Sequence, residues 1–407
     1  MLTRDGWILF ASRVVRLFAY GFLSIILALH LAAVGMTDSE IGLLLTLTLV
    51  GDAALSLLIT QVADRRGRRR MLLVGAGLVV LSGLVFALTT NTLFLFFAAF
   101  IGTLSPTGHE VGPFLAIEQA ALAHLTPGAR RTQMFAWYNL VGSFAAALGA
   151  WSGGTFATVL LHAGHSSVES YHLLFAGYAG FGVVLALLFL WLSAEIEVQP
   201  TEQRVAARFF GLHRSRTIIR NLSLLFILDS FAGALVLQSL MAYWFHTCFG
   251  TDPAELGRVF FGANLLAGFS ALIAARIASR IGLINTMVFT HLPANVFLLL
   301  TPLMPTFPLA VAMVLLRYAT AQMDVPTRQA YLMSVVAPDE RSAAAGVTGL
   351  ARTAASACGP VVAGVLFQAS LLSLPFYLAG SLKITYDFLL FLLFRDSKPQ
   401  EDKSGEE

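Results

Sequence analysis

Long apolar stretches of about 20 residues recur along the chain, and short polar stretches separate them. A stretch of this length crosses the hydrocarbon core of a bilayer as a helix. The pattern therefore predicts an all-α, polytopic membrane protein with twelve transmembrane helices. The predicted spans are residues 9–34, 40–61, 71–90, 92–117, 133–160, 172–193, 220–248, 255–277, 286–302, 308–333, 343–369 and 374–394.

The predicted helices fall into two halves. A polar stretch, residues 194–219, follows the sixth helix and is interpreted as a cytoplasmic linker. We expect an N-terminal six-helix bundle over residues 1–193, a C-terminal six-helix bundle over 220–394 and a disordered cytoplasmic tail over 395–407. Parallel repeated halves are common in transporters. A shift of 210 residues pairs Arg131 with Arg341, Gly149 with Gly359 and Gly154 with Gly364, and a shift of 215 pairs Gly67 with Gly282.

Composition excludes the soluble classes of protein. Apolar residues make up 57% of the chain and charged residues only 12%, about half of the usual share. So few charges cannot cover a soluble surface, which excludes an ordinary cytosolic enzyme, a nucleic-acid-binding protein and a disordered chain. We expect the chain to contact a lipid bilayer, and we do not expect it to bind nucleic acid. Two cysteines are too few for a disulfide framework.

The basic residues predict the orientation. Of the 26 arginines and lysines, 21 lie in one alternating set of loops and chain ends. Cytoplasmic loops carry the excess of positive charge in membrane proteins. Both termini, the linker and the loop at 62–70 are therefore predicted to be cytoplasmic, and the expected location is a bacterial inner (plasma) membrane.

The loop after the second predicted helix reads TQVADRRGRRRM. It resembles the signature loop of the major facilitator superfamily, in which a glycine and three residues precede Asp-Arg-x-Gly-x and two basic residues. Thr60 stands in place of the leading glycine, and Gly67 permits a tight turn between two helices. A plain positively charged loop is the alternative interpretation. The matching residues are Asp64, Arg65, Gly67, Arg69 and Arg70.

This resemblance implies a secondary transporter that works by alternating access around a central site. It also implies a gate where the loop meets neighbouring helix ends. Glu118 is a candidate partner of Arg65, because His124 stands where many members carry an aspartate. The candidate gating residues are Asp64, Arg65, Gly67, Glu118, Arg69, Arg70, Arg131 and Arg341.

Two glycine-rich stretches resemble the antiporter motif of the same superfamily. They are GAWSGG at 149–154, where Ala150 replaces the proline of the motif, and GPVVAG at 359–364, which keeps it. With two charged residues they form a predicted interface between the halves. The candidate interface residues are Asp52, Gly149, Gly154, Arg352, Gly359, Pro360 and Gly364.

Ionisable residues inside membrane helices are costly and are therefore functional candidates. The resemblance implies that the first, fourth, seventh and tenth helices line the cavity. On these helices Arg16, Glu110, Asp229 and Asp324 lie roughly 10–14 Å from the predicted cytoplasmic face, which favours one network. The candidates for the substrate or proton pathway are Arg16, His109, Glu110, Asp229, Arg317, Asp324 and Arg328.

Structural interpretations of these charges stay open. Arg16 can simply extend to the lipid headgroups. Asp324 and Arg328 are four residues apart and can form a structural pair on one helix face. Lys383 and Asp387 repeat that spacing in the twelfth helix, where we expect a structural pair. The stretch SPTGHEVGPF at 105–114 is either a cargo-contacting break in the fourth helix or a kink with a buried polar pair.

The sequence favours a secondary transporter of a small molecule, with proton-coupled efflux as one form of it. An uncoupled facilitator and a lipid-handling membrane protein are the alternatives. No catalytic residues, cofactor or metal ion are expected, because the chain has no Gly-x-Ser-x-Gly or HExxH motif and no phosphate-binding Walker loop. The expected partners are a small-molecule substrate and protons, and the expected state is a monomer.

Overall fold

The computed structural model describes residues 3–109, 112–126, 128–197, 215–337 and 340–395, without the side chains of residues 64, 128–130, 132 and 342. These ranges contain fifteen α-helices, two short 3-10 turns and no strand. The helices are α1 (Arg4–Ala33), α2 (Asp38–Arg66), α3 (Arg68–Leu88), α4 (Thr92–Ile101), α5 (Phe114–Leu125), α6 (Gly128–His162), α7 (Ser167–Leu190), α8 (Arg216–Ala234), α9 (Gln238–Phe249), α10 (Pro253–Ile281), α11 (Leu283–Leu300), α12 (Phe307–Ala321), α13 (Asp324–Val335), α14 (Arg341–Gln368) and α15 (Leu374–Phe394).

The helices confirm the predicted all-α membrane fold. Among the described residues, ten candidate spans are long and apolar enough to cross a bilayer, and α4 and α5 are shorter apolar helices. Three of the twelve predicted spans are interrupted in the structure. The span at 92–117 divides into α4 and α5, the span at 220–248 into α8 and α9, and the span at 308–333 into α12 and α13.

Glycine and proline explain the interruption between α4 and α5. Gly108 and Gly112 have positive φ values of 70° and 82°, which L side chains rarely adopt. Polar side chains satisfy the backbone groups that the break exposes. The Ser105 hydroxyl donates to the carbonyl of His109 at 2.7 Å, and the Tyr178 hydroxyl donates to the carbonyl of Thr103.

Two glycines turn the chain at equivalent places in the two halves. Gly67 lies between α2 and α3 with φ 99°, and Gly282 lies between α10 and α11 with φ 83°. The backbone carbonyl of each glycine accepts a hydrogen bond from the amide four residues later. Both are the residues that the sequence repeat paired, and both adopt a backbone conformation that favours glycine.

Contacts divide the chain into two compact units. The N-terminal unit contains Met1–Val205, Leu237–Leu265 and Phe367–Ala369, and the C-terminal unit contains Ala206–Val236, Leu266–Leu366 and Ser370–Glu407. The N-terminal unit includes α9 because Gln238 and Ser239 bond to Ser24 of α1. In the C-terminal unit, apolar residues of α8, α11, α13 and α15 form a buried core around Phe226 and Tyr386.

Glycine brings α6 into close contact with the backbone of α1, and α14 into close contact with the backbone of α8. A Cβ atom on Gly149 of α6 would lie 2.0 Å from the carbonyl oxygen of Phe18 in α1. A Cβ atom on Gly359 of α14 would lie 2.5 Å from the Cβ atom of Ala234 in α8. Neither position has space for a larger residue. Each of these two glycines therefore packs two helices of its own unit against each other.

Candidate functional site

A cluster of buried ionisable side chains is centred on Asp229 of α8. One oxygen of its carboxylate, Oδ2, accepts a hydrogen bond from the Arg328 guanidinium of α13 at 3.1 Å. The other oxygen, Oδ1, accepts from the ammonium group of Lys383 of α15. All three side chains are at least nine-tenths buried. Asp229 therefore has two basic side chains as direct partners inside the helix bundle.

Arg328 also contacts a second carboxylate. Its Nη1 atom lies 2.8 Å from Oδ2 of Asp324, one helical turn earlier in α13. The predicted pairing of Asp324 with Arg328 is thus confirmed. The same guanidinium joins this pair to Asp229, so the two predicted carboxylates share one cation.

The cluster continues through residues that the sequence analysis did not propose. His291 of α11 lies with Nδ1 2.8 Å from Oδ1 of Asp387 and with Nε2 3.9 Å from Oδ1 of Asp229. Asn295, one turn further along α11, donates to Oδ2 of Asp387 at 2.8 Å. Lys383 and Asp387 therefore have different partners, and the expected pairing between these two residues is wrong.

The N-terminal unit contains a separate buried ion pair. The Arg16 guanidinium of α1 donates from Nη1 to Oε1 of Glu118 at 2.6 Å and from Nη2 to Oε2 at 2.7 Å. Ser12 donates to Oε1 at 2.8 Å, and the Tyr138 hydroxyl donates to Oε2. Such bidentate pairing of charges is strong. Arg16 is fully buried, so it does not extend to the headgroups.

The Arg16–Glu118 pair changes two predictions. The carboxylate of Glu118 is occupied by partners on α1 and α6, so the structure does not support its predicted pairing with Arg65. Arg16 and Asp229 belong to different units, each with its own buried partners. The predicted single network stays a prediction, because each of the two residues is described only with partners of its own unit.

Two other candidates for the substrate or proton pathway lie elsewhere. His109 is half-buried in the break between α4 and α5. Arg317 of α12 places its guanidinium carbon 5.3 Å from the centre of the Tyr318 ring. Glu110 lies outside the described residues. Their predicted roles stay predictions.

The loop at 62–70 is held by the segment that follows α7. The Glu197 carboxylate accepts from the backbone amides of Arg68 at 2.6 Å and Arg69 at 3.2 Å, which are the first two residues of α3. A carboxylate is favourable there, because the amides at a helix N-terminus lack partners within the helix. The Arg69 side chain donates to the carbonyl of Leu190 at 2.6 Å.

The remaining gate candidates are at the ends of helices. The Arg65 and Arg70 side chains are exposed, and the side chain of Asp64 lies outside the described part of the chain. Arg131 is exposed at the start of α6, and its Nε donates to the carbonyl of Thr126 at 3.0 Å. Arg341 begins α14 and is partly buried.

Several candidate interface residues pack inside their own unit. Arg352 of α14 donates from Nε to the Ser230 hydroxyl of α8 at 3.2 Å. Pro360 and Gly364 are buried in α14, and Asp52 of α2 is partly buried. A Cβ atom on Gly154 would lie 2.1 Å from the carbonyl oxygen of Pro253, at the start of α10.

The described residues include no group of three or more histidine, cysteine, aspartate or glutamate side chains arranged to hold a metal ion. His162 and His165, three residues apart in the sequence, are both exposed at the turn between α6 and α7.

Comparisons with known proteins agree with this helical architecture. The family model described as Major Facilitator Superfamily matches residues 9–316 and 222–407. "Uncharacterized membrane protein YJR124C" of Saccharomyces cerevisiae is 33% identical over 423 residues, covering 96% of this chain and 94% of that protein.

Solved transporters share the fold at low sequence identity. The nucleoside transporter NupG has a TM-score of 0.73 at 14% identity, covering 97% of this chain and 100% of that one. The inward open xylose transporter XylE from E. coli has a TM-score of 0.73 at 14% identity, covering 98% of each chain. The family match and the yeast relative extend over nearly the whole chain, so the protein belongs to the Major Facilitator Superfamily and is an integral membrane transporter of that family.

Proposed function

We propose that the protein is a proton-coupled secondary transporter of a small molecule, with the Asp229 cluster as its coupling site. Membership of a transporter superfamily supports alternating access. The observation that carries the coupling proposal is the double pairing of Asp229 with Lys383 and Arg328 inside the bundle. Ionisable groups in membrane helices commonly mark ion and substrate pathways.

The shared cation gives this cluster a way to exchange partners. A buried charge is stable only while it has an opposite charge nearby. If a proton neutralises Asp229, Arg328 still has Asp324 at 2.8 Å as a counter-ion. If Asp324 is neutralised, Asp229 still has Arg328 and Lys383. A proton can thus enter without leaving an isolated charge, and a charged group of the cargo can take the released partner.

The mixed charges suit an amphipathic or zwitterionic cargo. Ammonium and guanidinium groups bind carboxylates or phosphates, and carboxylates bind ammonium groups. Export as the direction of transport, a monomeric state and a bacterial inner membrane stay predictions from the sequence.

The test uses purified protein in proteoliposomes with a defined mixture of amino acids, nucleosides and pentoses outside and a pH gradient across the membrane. We expect mass spectrometry to show at least one compound concentrated inside the vesicles, and a protonophore to abolish that accumulation. Accumulation that survives the protonophore would contradict proton coupling. Equilibration without accumulation would favour an uncoupled facilitator.

Variants locate the coupling within the cluster. Asp229→Asn and Asp324→Asn should each reduce gradient-driven accumulation at least about tenfold, because a lost charge pair changes the energy of a state by about 1.4 kcal/mol or more. Exchange of labelled for unlabelled compound should persist. Glu195→Gln, at an exposed carboxylate, is the matched control and should transport normally. Undiminished accumulation by both cluster variants would show that the cluster is structural.

A further inference from the structure

The imidazole of His291 lies between two carboxylates that come from different helices. Nδ1 faces Oδ1 of Asp387 at 2.8 Å, which is hydrogen-bond length. Nε2 faces Oδ1 of Asp229 at 3.9 Å, which is too long for a hydrogen bond but within ion-pair range. Each ring nitrogen therefore has a carboxylate oxygen as its neighbour, and the two contacts differ by 1.1 Å.

The short contact indicates which ring nitrogen carries the hydrogen in the neutral ring. An ionised carboxylate only accepts hydrogen bonds, so we assign the hydrogen to Nδ1, which faces Asp387; the Asn295 amide nitrogen also lies 3.2 Å from Nδ1. Asn295 donates to the other oxygen of Asp387, which holds that carboxylate in place. With that assignment, Nε2 carries the lone pair and is the ring nitrogen nearest to Asp229.

The long contact involves the oxygen that Lys383 uses. Oδ1 of Asp229 accepts from the Lys383 ammonium and is also the oxygen nearest to Nε2 of His291. A neutral ring presents a lone pair to this oxygen and adds no attraction. A protonated ring presents an N–H group and a positive charge to it. Lys383 and a protonated His291 would therefore both be attracted to one carboxylate oxygen.

Other charged or titratable groups border this arrangement from several helices. The Tyr386 ring of α15 packs on the imidazole edge to face, with ring centres 6.0 Å apart. Arg328 of α13 contacts both Asp229 and Asp324. Arg352 of α14 bonds to Ser230, the residue after Asp229.

We propose that His291 is the proton-accepting group of this cluster and that its protonation moves Oδ1 of Asp229 from Lys383 to the imidazolium. A proton from water binds the lone pair of Nε2, no covalent bond breaks, and Lys383 keeps its three protons. The displaced ammonium group is then free to bind an anionic group of the cargo. This inference deepens the proposed function, because it names the residue through which a proton would act on the coupling site.

Thermal unfolding of the purified full-length protein, without any cargo, tests the exchange of partners. Lys383→Met should lower Tm more at pH 8 than at pH 5, by about 3 °C or more. The proposal requires a neutral ring at pH 8, so that Asp229 loses a partner that nothing replaces. It requires an imidazolium at pH 5, which would replace the missing ammonium group. In a His291→Gln background the loss should be the same at both pH values.

The control is Arg220→Met, which removes an exposed cation from the same helix as Asp229 and should change Tm equally at both pH values. The proposal is overturned if Lys383→Met costs the same at pH 5 and pH 8, or if its pH dependence persists without His291. These measurements do not involve transport. The failure of this proposal can therefore be distinguished from a failure of proton-coupled accumulation.

A second measurement applies if Lys383→Met does not fold. The wild-type chain, labelled with ¹⁵N in its nine histidines, gives distinct signals for bare and protonated ring nitrogens. The signal lost in His291→Gln identifies this residue. We expect one unprotonated ring nitrogen at pH 8 and two N–H groups at pH 5. The same change should occur in detergent and in nanodiscs. A ring in the same state at both pH values would refute the proposal.

Discussion

At the scale of single residues, Glu118 and Arg16 illustrate that a buried charge needs an opposite charge as its partner. Both side chains are fully buried, and two hydrogen bonds of 2.6 and 2.7 Å join them. We expect Glu118→Gln to lower the free energy of unfolding by about 3 kcal/mol, because a buried guanidinium loses its carboxylate. Thermal unfolding of the purified protein measures the change.

The double variant separates charge from packing. Adding Arg16→Met to Glu118→Gln removes the remaining charge and should recover part of the lost stability. Glu195→Gln, an exposed carboxylate in the same unit, should leave stability within about 0.5 kcal/mol of the wild type. Equal losses for Glu118→Gln and this control would contradict a role for the pair.

Single residues show what the sequence could and could not predict. Asp229, Asp324 and Arg328 were identified because ionisable groups stand out in apolar helices. The partner of Arg16 could not be identified, because 102 positions separate it from Glu118 and spacing carries no information over that distance. His291 and Asn295 were overlooked although they lie one turn apart on one face of an apolar helix, and that spacing is the signal that could have revealed them.

At the scale of helices, glycine determines how closely two backbones approach. We expect Gly149→Ala and Gly359→Ala each to lower the free energy of unfolding by about 1–3 kcal/mol, since the added Cβ atoms would overlap atoms of α1 and α8. Denaturation of the purified variants measures the loss.

Gly177→Ala in α7 is the matched control. A Cβ atom there would meet no atom within 4 Å. Alanine is the better helix former by about 1 kcal/mol, so this variant should be neutral or slightly stabilising. A similar loss for all three variants would show that the close approach of the helices has no special role.

Interruptions of helices were predictable only where local chemistry causes them. The break between α4 and α5 follows glycines and prolines that the sequence displays. The break between α8 and α9 falls at residues 235–237, which include neither residue type. There the amide of Ser239 donates to the carbonyl of Pro106 at 3.0 Å, and Gln238 donates to Ser24 at 2.7 Å. Tertiary contacts of this kind leave no local pattern.

At the scale of the whole molecule, the distribution of arginine predicts the topology. A fluorescent reporter fused after residue 407 should be active in the cytoplasm, and a tag inserted at Gly164, between α6 and α7, should be accessible from outside intact cells. Accessibility of the C-terminal reporter from outside would reverse the orientation and refute the positive-charge argument for this chain.

The all-α membrane fold was predictable because bilayer thickness fixes the length of each apolar stretch. The loop at 62–70 added a specific spacing, and the family match confirmed the membership that it indicated. The packing of α9 in the N-terminal unit was not predictable, because the sequence places it in the second half of the chain.

The burial of Lys383 has a practical consequence for following conformational change. The chain has only three lysines, and the other two, Lys398 and Lys403, lie near its end, outside the described residues. The Lys383 side chain is 8% exposed and bonded to Asp229. An amine-reactive reagent can modify it only when the cluster opens to water. The rate at which the reagent labels Lys383 therefore measures how often the cluster opens to water, without an engineered cysteine or an attached dye.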